Sequence, residues 1–400
     1  MLIVQKYGGS SVANAQRLDF VAGIIAEQYR SGNDVVVVVS AQGDTTDELI
    51  EKAHEVNPNA SKREMDMLLT AGEQMSASLL AMALEKMGLP AVSLTSWQIQ
   101  IHTNSNHGNA RIKSVDTERL SAELAKKNII IVTGFQGVNK FDDITTLGRG
   151  GSDTSAVALA AALKADKCQI YTDVDGVYTA DPRVVPNAKK LDEITYDEML
   201  ELATLGAKVL HNRSVEMAKK YNVELEVLSS MKHCPGTLVK EVAKVEKMLI
   251  SGIAKDEDVA RISIVGLKDE PGVAFKIFSK LGQKKINVDI ILQSIGRDGT
   301  KDITFTVDAA QLDDTMSCLQ SMVDSGSCKE ILSDNDVAKI SLVGAGMETH
   351  PGVAAKMFEA LYQAGVNIQM ISTSEIKISV LIEKQYAKTA MKAVHDAFVQ

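Results

Sequence analysis

The strongest constraint on the fold is a repeat. Val265-Gly266, followed after a short gap by Pro271-Gly272-Val273-Ala274, returns as Val343-Gly344 and Pro351-Gly352-Val353-Ala354, with two more residues before the proline. Each copy begins on an aliphatic run (Arg261–Gly266, Lys339–Gly344) and turns at Pro-Gly into an amphipathic stretch. It then reaches an asparagine that opens a second run, from Asn287 to Ser294 and from Asn367 to Ser372. A third run follows at Asp302–Val307 and at Lys377–Ile382. Proline suits the first turn of a helix, where no N–H is needed. A strand–helix–strand–strand pattern recurring after about 80 residues predicts two tandem βαββαβ units. The first copy continues through a helix near Ala310–Asp324 and a strand near Glu330–Leu332. The second reaches Gln400 on its final helix, about Tyr386–Phe398, with no residues for a fourth strand. Met248–Ala254 is apolar, strand-like and without a partner, so it is expected to cross over and supply that strand.

The first 230 residues follow a different rule. Leu2–Val4, Val35–Val39, Ala91–Leu94, Ile129–Val132, Gln169–Thr172 and Leu225–Leu228 predict strands. Between them lie amphipathic stretches such as Asn14–Tyr29, Ser76–Met87 and Ser155–Ala165. Strands aliphatic throughout, alternating with helices, predict a mostly parallel sheet covered on both faces. The domains are therefore placed at 1–230, a linker at 231–247, and the repeats at 248–334 and 335–400.

Net charge is −9, with no long block of Lys or Arg, so neither nucleic acid nor a membrane surface is an expected partner. An acidic chain that binds anions must concentrate positive charge locally. The four cysteines form no CxxC pair, and no His pair has metal spacing, so no protein-built metal site is expected. The start lacks a secretory n-region and the longest aliphatic run, Val35 to Val39, is far short of a membrane span. A cytoplasmic location is expected.

Two glycine-rich turns concentrate the chemistry. Lys6-Tyr7-Gly8-Gly9-Ser10-Ser11 lies between a strand and a helix, where backbone N–H groups and a lysine suit phosphate, although the same turn also serves as ordinary structure. The P-loop pattern is absent. Leu147-Gly148-Arg149-Gly150-Gly151-Ser152-Asp153 leads into the Ala-rich helix; two such turns can clamp a triphosphate, while Asp153 could instead cap the helix. Thr172-Asp173-Val174-Asp175-Gly176-Val177-Tyr178 and Asp181-Pro182-Arg183 form a polar loop after a strand, where open parallel sheets bind ligands. Ser40 to Thr46, Glu73 and Lys208 are polar candidates with equally good structural uses. Tyr7 and Trp97 read as packing residues, and Met65, Met67, Met75 and Met82 as core or interface.

In their joint order, Lys6–Ser11, Ser40–Thr46, Gly72–Gln74, Gly134-Phe135-Gln136-Gly137, Gly148–Asp153, Thr172–Arg183 and Gly206–His211 resemble the aspartokinase family, over nearly the whole chain. The repeats resemble tandem ACT domains, as in the monofunctional bacterial form. The resemblance implies an α/β amino-acid-kinase fold followed by two ferredoxin-like βαββαβ ACT domains. It implies transfer of the ATP γ-phosphoryl group, with Mg²⁺, to the β-carboxylate of L-aspartate, giving 4-phospho-L-aspartate, a first step toward lysine, threonine and methionine. Lys6 and Asp153 would be catalytic; Arg149 would hold the substrate carboxylate and Glu73 its ammonium, with Ser40 and Thr46 completing the pocket. Nucleotide contacts would fall to Lys6, Tyr7, Gly8, Gly9, Gly150, Gly151, Ser152, Thr172, Asp173, Tyr178, Arg183, Lys208 and Val209. Lysine, threonine or both would act as effectors on Asp269, Ala274, Asn287, Val288, Asp289 and Gln293 of one ACT unit. On the other unit the contacts would be Val353, Ala354, Asn367, Ile368 and Ser374. Homo-oligomers paired through ACT edges are implied, and some relatives make a short regulatory subunit from an internal start, here Met248. Asn212 stands where relatives commonly have proline, which bears on the helix after His211. The competing readings are another enzyme of the same kinase fold and a non-catalytic amino-acid sensor. Tandem repeats weigh against the first; intact Lys6, Arg149 and Asp153 weigh against the second.

Overall fold

Five consecutive valines, Val35 to Val39, form the middle of the first sheet, and every one is fully buried. β-Branched side chains favour extended backbone and pack well on a sheet covered from both sides. The computed structural model describes residues 1–207, 209–242, 249–295 and 299–399. The chain divides into one unit of Met1–Tyr178 with Lys189–Glu246 and a second of Thr179–Ala188 with Lys247–Gln400.

The strands of the first unit are β1 (Leu2–Tyr7), β2 (Asp34–Val39), β3 (Ala91–Leu94), β4 (Ile101–Thr103), β5 (Ile112–Val115), β6 (Ile129–Thr133), β7 (Gln136–Val138), β8 (Ile144–Thr146), β9 (Lys167–Thr172), β10 (Glu193–Thr195), β11 (Leu225–Ser229) and β12 (Thr237–Lys240). Its helices are α1 (Ala15–Arg30), α2 (Thr45–Val56), α3 (Lys62–Lys86), α4 (Glu118–Ala125), α5 (Gly151–Leu163), α6 (Tyr196–Thr204) and α7 (Asn212–Tyr221). The main sheet runs β10-β12-β11-β9-β1-β2-β6-β3 and is parallel except where β12 meets β11. From β1 the chain continues to β2 on one side, while from β9 it continues toward β11 on the other, so the order switches between β1 and β9, and open sheets bind ligands at the carboxyl ends of strands at such a point. A smaller sheet, β5-β4-β7-β8, is not legible in the sequence; its strands are too short to show a period. α3 is longer than the predicted Ser76–Met87 segment. It is long and apolar enough to cross a bilayer, yet ten of its residues are buried in this fold. Met67, Met75 and Met82 stand on its exposed face, so they are not core; Trp97 is half exposed.

The second unit contains β13 (Gly252–Asp256), β14 (Val259–Lys268), β15 (Ile291–Ile295), β16 (Thr300–Asp308), β17 (Glu330–Asp334), β18 (Val337–Val343), β19 (Met370–Thr373) and β20 (Lys377–Glu383). Its helices are α8 (Val273–Gln283), α9 (Leu312–Asp324), α10 (Val353–Gln363) and α11 (Ala387–Phe398). Two four-stranded sheets, β15-β16-β14-β17 and β19-β20-β18-β13, share one order. β13 pairs antiparallel with β18, in the place that β17 holds beside β14. Thus a strand from ahead of the first repeat completes the second sheet; Met248 itself lies outside the described residues. Gly272 and Gly352 occupy matching left-handed positions, φ 91° and 92°, at the starts of α8 and α10.

The segment Thr179–Ala188 falls within the first domain as placed from the sequence. It instead packs in the second unit, where Ala180 and Val185 join the core of Ile340, Leu342 and Val380. The Thr179 hydroxyl and His395 Nε2 are 3.0 Å apart and buried, and Ile253 N–H donates to the Thr179 carbonyl at 2.8 Å.

Candidate active site

Lys6 ends on β1, and its Nζ lies 2.7 Å from Asp153 Oδ1, both side chains being nearly buried. This pair joins the two glycine turns that the sequence singled out. After β1 the chain makes a 3₁₀ turn, Gly9–Ser11, and α1 begins only at Ala15, capped by Asn14 accepting from Arg17 N–H at 3.0 Å. The backbone beside Lys6 is therefore a tight turn and not the helix N-terminus itself. Gly9 is required by close approach: a Cβ there would sit 2.7 Å from the Ala41 carbonyl oxygen. Ser11 Oγ donates to Ser230 Oγ at 2.7 Å, and Ser230 N–H donates to the Thr172 carbonyl at 2.8 Å, fixing the first turn to the end of β9.

In the second turn Gly148 and Gly150 are left-handed, φ 79° and 66°. Gly150 is the cap residue of α5, so Asp153 lies inside the first helical turn and is no N-cap. Its carboxylate is turned to Lys6. Ser40 Oγ donates to Ser152 Oγ at 2.9 Å, which ties the end of β2 to α5. Phe135, between β6 and β7, holds a positive φ of 69°, strained for an aromatic residue, and its N–H donates to Ser155 Oγ at 3.1 Å.

Glu73 reaches the same strand ends from α3 and is 3% exposed. Ala41 N–H donates to Oε1 at 3.1 Å and Gln136 Nε2 to Oε2 at 3.4 Å. Burial pushes its carboxyl up to about 7, against these hydrogen bonds, which pull it down. No cationic side chain among the described residues pairs with it. Such a carboxylate is ready for a cation brought by a ligand. Thr46 is half-buried at the start of α2, and Arg149 is exposed beside a cavity of about 430 Å³ that Arg111, His211, Arg213 and Glu216 also line.

The expected nucleotide residues divide. Tyr7 is fully buried and stacks on Tyr171, ring centroids 4.6 Å apart, so only its backbone faces the turn. Thr172 Oγ1 donates to Asp173 at the end of β9, and Tyr178 Oη donates to Asp175 at 2.9 Å. Arg183 belongs to the segment that packs in the second unit, and its Nε and Nη2 donate to Asp181 at 3.0 and 2.9 Å. The loop Thr172–Arg183 is thus not one structural piece. Val209 lies half-buried before α7, and Lys208 lies outside the described residues. α7 forms with Asn212 as its first residue, so the missing proline does not prevent it; His211 Nδ1 accepts from Arg213 N–H at 3.3 Å.

In the second unit the expected effector residues cluster by repeat. Asp269 pairs with Lys301 at 2.6 Å, and Asp289 pairs with the buried Lys339 ammonium, which also lies 3.5 Å from Asp256. Arg261, the counterpart of Lys339, donates to Gln369 and Asp334, each at 2.9 Å. The two repeats therefore exchange matching contacts. Ala274 and Val288 pack partly into the first core, while Asn287 and Gln293 are exposed. Val353 is buried in the second core with Ala354 and Ile368 against it; Asn367 and Ser374 are exposed.

Gln136 entered the sequence reading only within the Gly134–Gly137 segment, without a role of its own, and Asp66 and Arg213 escaped it. Gln136 Nε2 donates to the Thr70 carbonyl at 2.8 Å as well as to Glu73. Asp66, buried on α3, accepts from Gly108 N–H and Thr146 Oγ1. Arg213 donates to two main-chain carbonyls. Only Gln136 had a signal, its place between two glycines.

Residues 1–229 match the model of the amino acid kinase family, and residues 262–322 and 340–398 match the ACT domain. The chain is 52% identical to an aspartokinase of Corynebacterium glutamicum, covering 99% of this chain and 96% of that one. It is 50% identical to an aspartate kinase of Pseudomonas putida, covering 99% and 97%. Among solved structures, E. coli aspartokinase III in complex with aspartate and ADP, the R-state, superposes with TM-score 0.86 at 25% identity over 100% of both chains. The same enzyme with lysine and aspartate, the T-state, gives 0.77 at 26% identity, again over 100% of both.

Proposed function

The chain belongs to the aspartokinase family, and we propose that it transfers the γ-phosphoryl group of ATP to the β-carboxylate of L-aspartate, giving 4-phospho-L-aspartate. The observation that carries this reading is the Lys6–Asp153 pair where the two glycine turns meet, with the desolvated Glu73 at the end of the neighbouring strand. The acceptor carboxylate is ionised at neutral pH, so no general base is needed. Catalysis reduces to holding two anions in line and neutralising the charge between them. Lys6 supplies a positive charge there, and Asp153 fixes its direction. Gly8, Gly9, Gly150 and Gly151 allow backbone N–H groups to approach phosphate oxygens. Arg149 grips the substrate's α-carboxylate in a forked pair, Glu73 receives its ammonium, and Ser40 and Thr46 close the pocket. Among the described residues no three metal-ligating side chains cluster. A magnesium ion arriving on the nucleotide would take most of its ligands from phosphate and water. Bound there, magnesium would neutralise part of the charge on the transferring group.

With ATP, magnesium and hydroxylamine, aspartate should give the hydroxamate and glutamate should not. Product from glutamate alone, or from neither, removes this reading.

The tandem repeats support regulation by lysine, threonine or both. Asp269 and Asp289 are neutralised by Lys301 and Lys339, so an effector's ammonium would exchange with an internal one and weight one conformer over another. Aspartate kinase rate titrated with lysine, threonine and their mixture should fall in at least one series. A flat response in all three defeats the regulatory reading.

A further inference from the structure

Arg149 sits between two left-handed glycines, and glycine leaves the peptide units on both sides of it conformationally free. Something outside the turn must decide where this side chain starts. On the entry side that is Arg213, on the first turn of α7 and only 8% exposed. Its Nη1 donates to the Leu147 carbonyl at 2.6 Å and its Nη2 to the Ala110 carbonyl at 2.5 Å. The Ala110 N–H donates to the Thr146 carbonyl at 2.8 Å, and Thr146 Oγ1 donates to the buried Asp66 at 2.6 Å. One guanidinium therefore clamps the loop at Ala110, just ahead of β5, and the residue two before Arg149 into a single piece. On the exit side, a Cβ on Gly150 would lie 2.1 Å from His211 Cγ, so the imidazole rests directly on that glycine. Both supports come from the same start of α7.

A buried guanidinium satisfied by neutral carbonyls is uncommon, since buried charge is normally paired. Burial, and then the charge of Arg111, brings Arg213 down to about 10, with Glu216 opposing; it stays protonated at neutral pH. Its charge adds to that of Arg111 and Arg149 around the 430 Å³ cavity, a local concentration of positive potential in a chain of net charge −9.

We infer that Arg213 is a positioning residue for substrate binding: it acts through Arg149, by fixing the Leu147–Gly150 turn in the geometry that grips the amino-acid carboxylate. This rests on the proposed role of Arg149 as the carboxylate ligand. The experiment compares R149M, R213M, R213K and the double variant R149M/R213M in steady-state kinetics against aspartate and ATP, with thermal unfolding of each. R149M should raise the aspartate KM. R213M should raise it roughly 10- to 100-fold, as misplacement of a binding group does, while the ATP KM stays within about twofold. R213K, which keeps the charge but reaches one carbonyl, should recover part of the loss. The double variant should be no worse for aspartate than R149M alone, because Arg213 acts through Arg149. If R213M does not fold, R213K carries the test: a several-fold aspartate effect at a near-parental melting midpoint supports the inference, and an unchanged aspartate KM overturns it. Additive losses in the double variant, or a lower melting midpoint with both KM values unchanged, also overturn it. If R149M itself leaves the aspartate KM unchanged, the role of Arg149 is what fails.

Discussion

Lys6→Ala is expected to lower kcat on the order of 10³-fold, the loss seen when one preorganised charge or donor is removed from a transition state. The reasoning is electrostatic. ATP and aspartate are both anions, and the groups that must meet repel each other. The Lys6 ammonium, held 2.7 Å from Asp153 in a nearly buried setting, requires no reorientation when the substrates arrive. Removing it also strands Asp153, which is 8% exposed, and an unpaired buried charge destabilises by about 3–5 kcal/mol. The two effects separate experimentally. Lys6→Met combined with Asp153→Asn removes both charges, so it should recover the melting midpoint lost in the single variant without recovering turnover. Effector binding should weaken far less than kcat, because its expected contacts lie in the other unit. If turnover returns with stability, Lys6 is structural.

The repeat and the valine strand were legible because each is a pattern in one stretch of chain: sheets of identical strand order follow from the first, and a buried parallel strand from the second. The Lys6 and Gly148–Asp153 turns were legible as motifs; that Asp153 orients Lys6 was expected only through the family resemblance, because their ion pair spans most of the first unit. Arg213 was invisible for a stated reason. Its contacts are main-chain carbonyls 66 and 103 residues away, and a carbonyl leaves no trace in residue identity. The strands β4, β7 and β8 are three residues each, too short for any period to register. The passage of Thr179–Ala188 into the second unit was hidden because its apolar residues, Ala180, Val184, Val185 and Ala188, are broken up by Pro182 and Pro186 and show no period. Of the two uses expected for the α3 methionines, core or interface, exposure removes the core for Met67, Met75 and Met82, and the sequence could not choose because methionine suits both equally well.

Glu73→Gln should make the free protein more stable and the enzyme worse, and the pH dependence says why. In the folded protein the carboxyl titrates near 7 rather than 4.5, because burial disfavours its charged form. The folded state therefore holds this proton more tightly than the unfolded chain. Below pH 4.5 both states are protonated and no cost appears; as pH rises to 7 the cost grows, and above 7 it is complete. The displacement from 4.5 to about 7 corresponds to at most about 3 kcal/mol. The substituted amide carries no charge, and its oxygen can still accept from Ala41 N–H. At about pH 8 the variant should melt higher than the parent, and the difference should vanish toward pH 4.5. Aspartate reverses the balance, since its ammonium needs the ionised carboxylate. In the parent, aspartate affinity should weaken roughly tenfold from pH 8 to pH 6, as the ionised fraction falls. In Glu73→Gln that slope should disappear and the aspartate KM at pH 8 should rise at least about 30-fold, the loss expected on breaking a buried charge pair. A parental slope in the variant, or equal aspartate KM values, would show that the ammonium binds elsewhere. The burial that costs stability in the free protein is also what makes Glu73 selective. A carboxylate already hydrated would gain little from an ammonium, whereas one held dry gains most of what it lost.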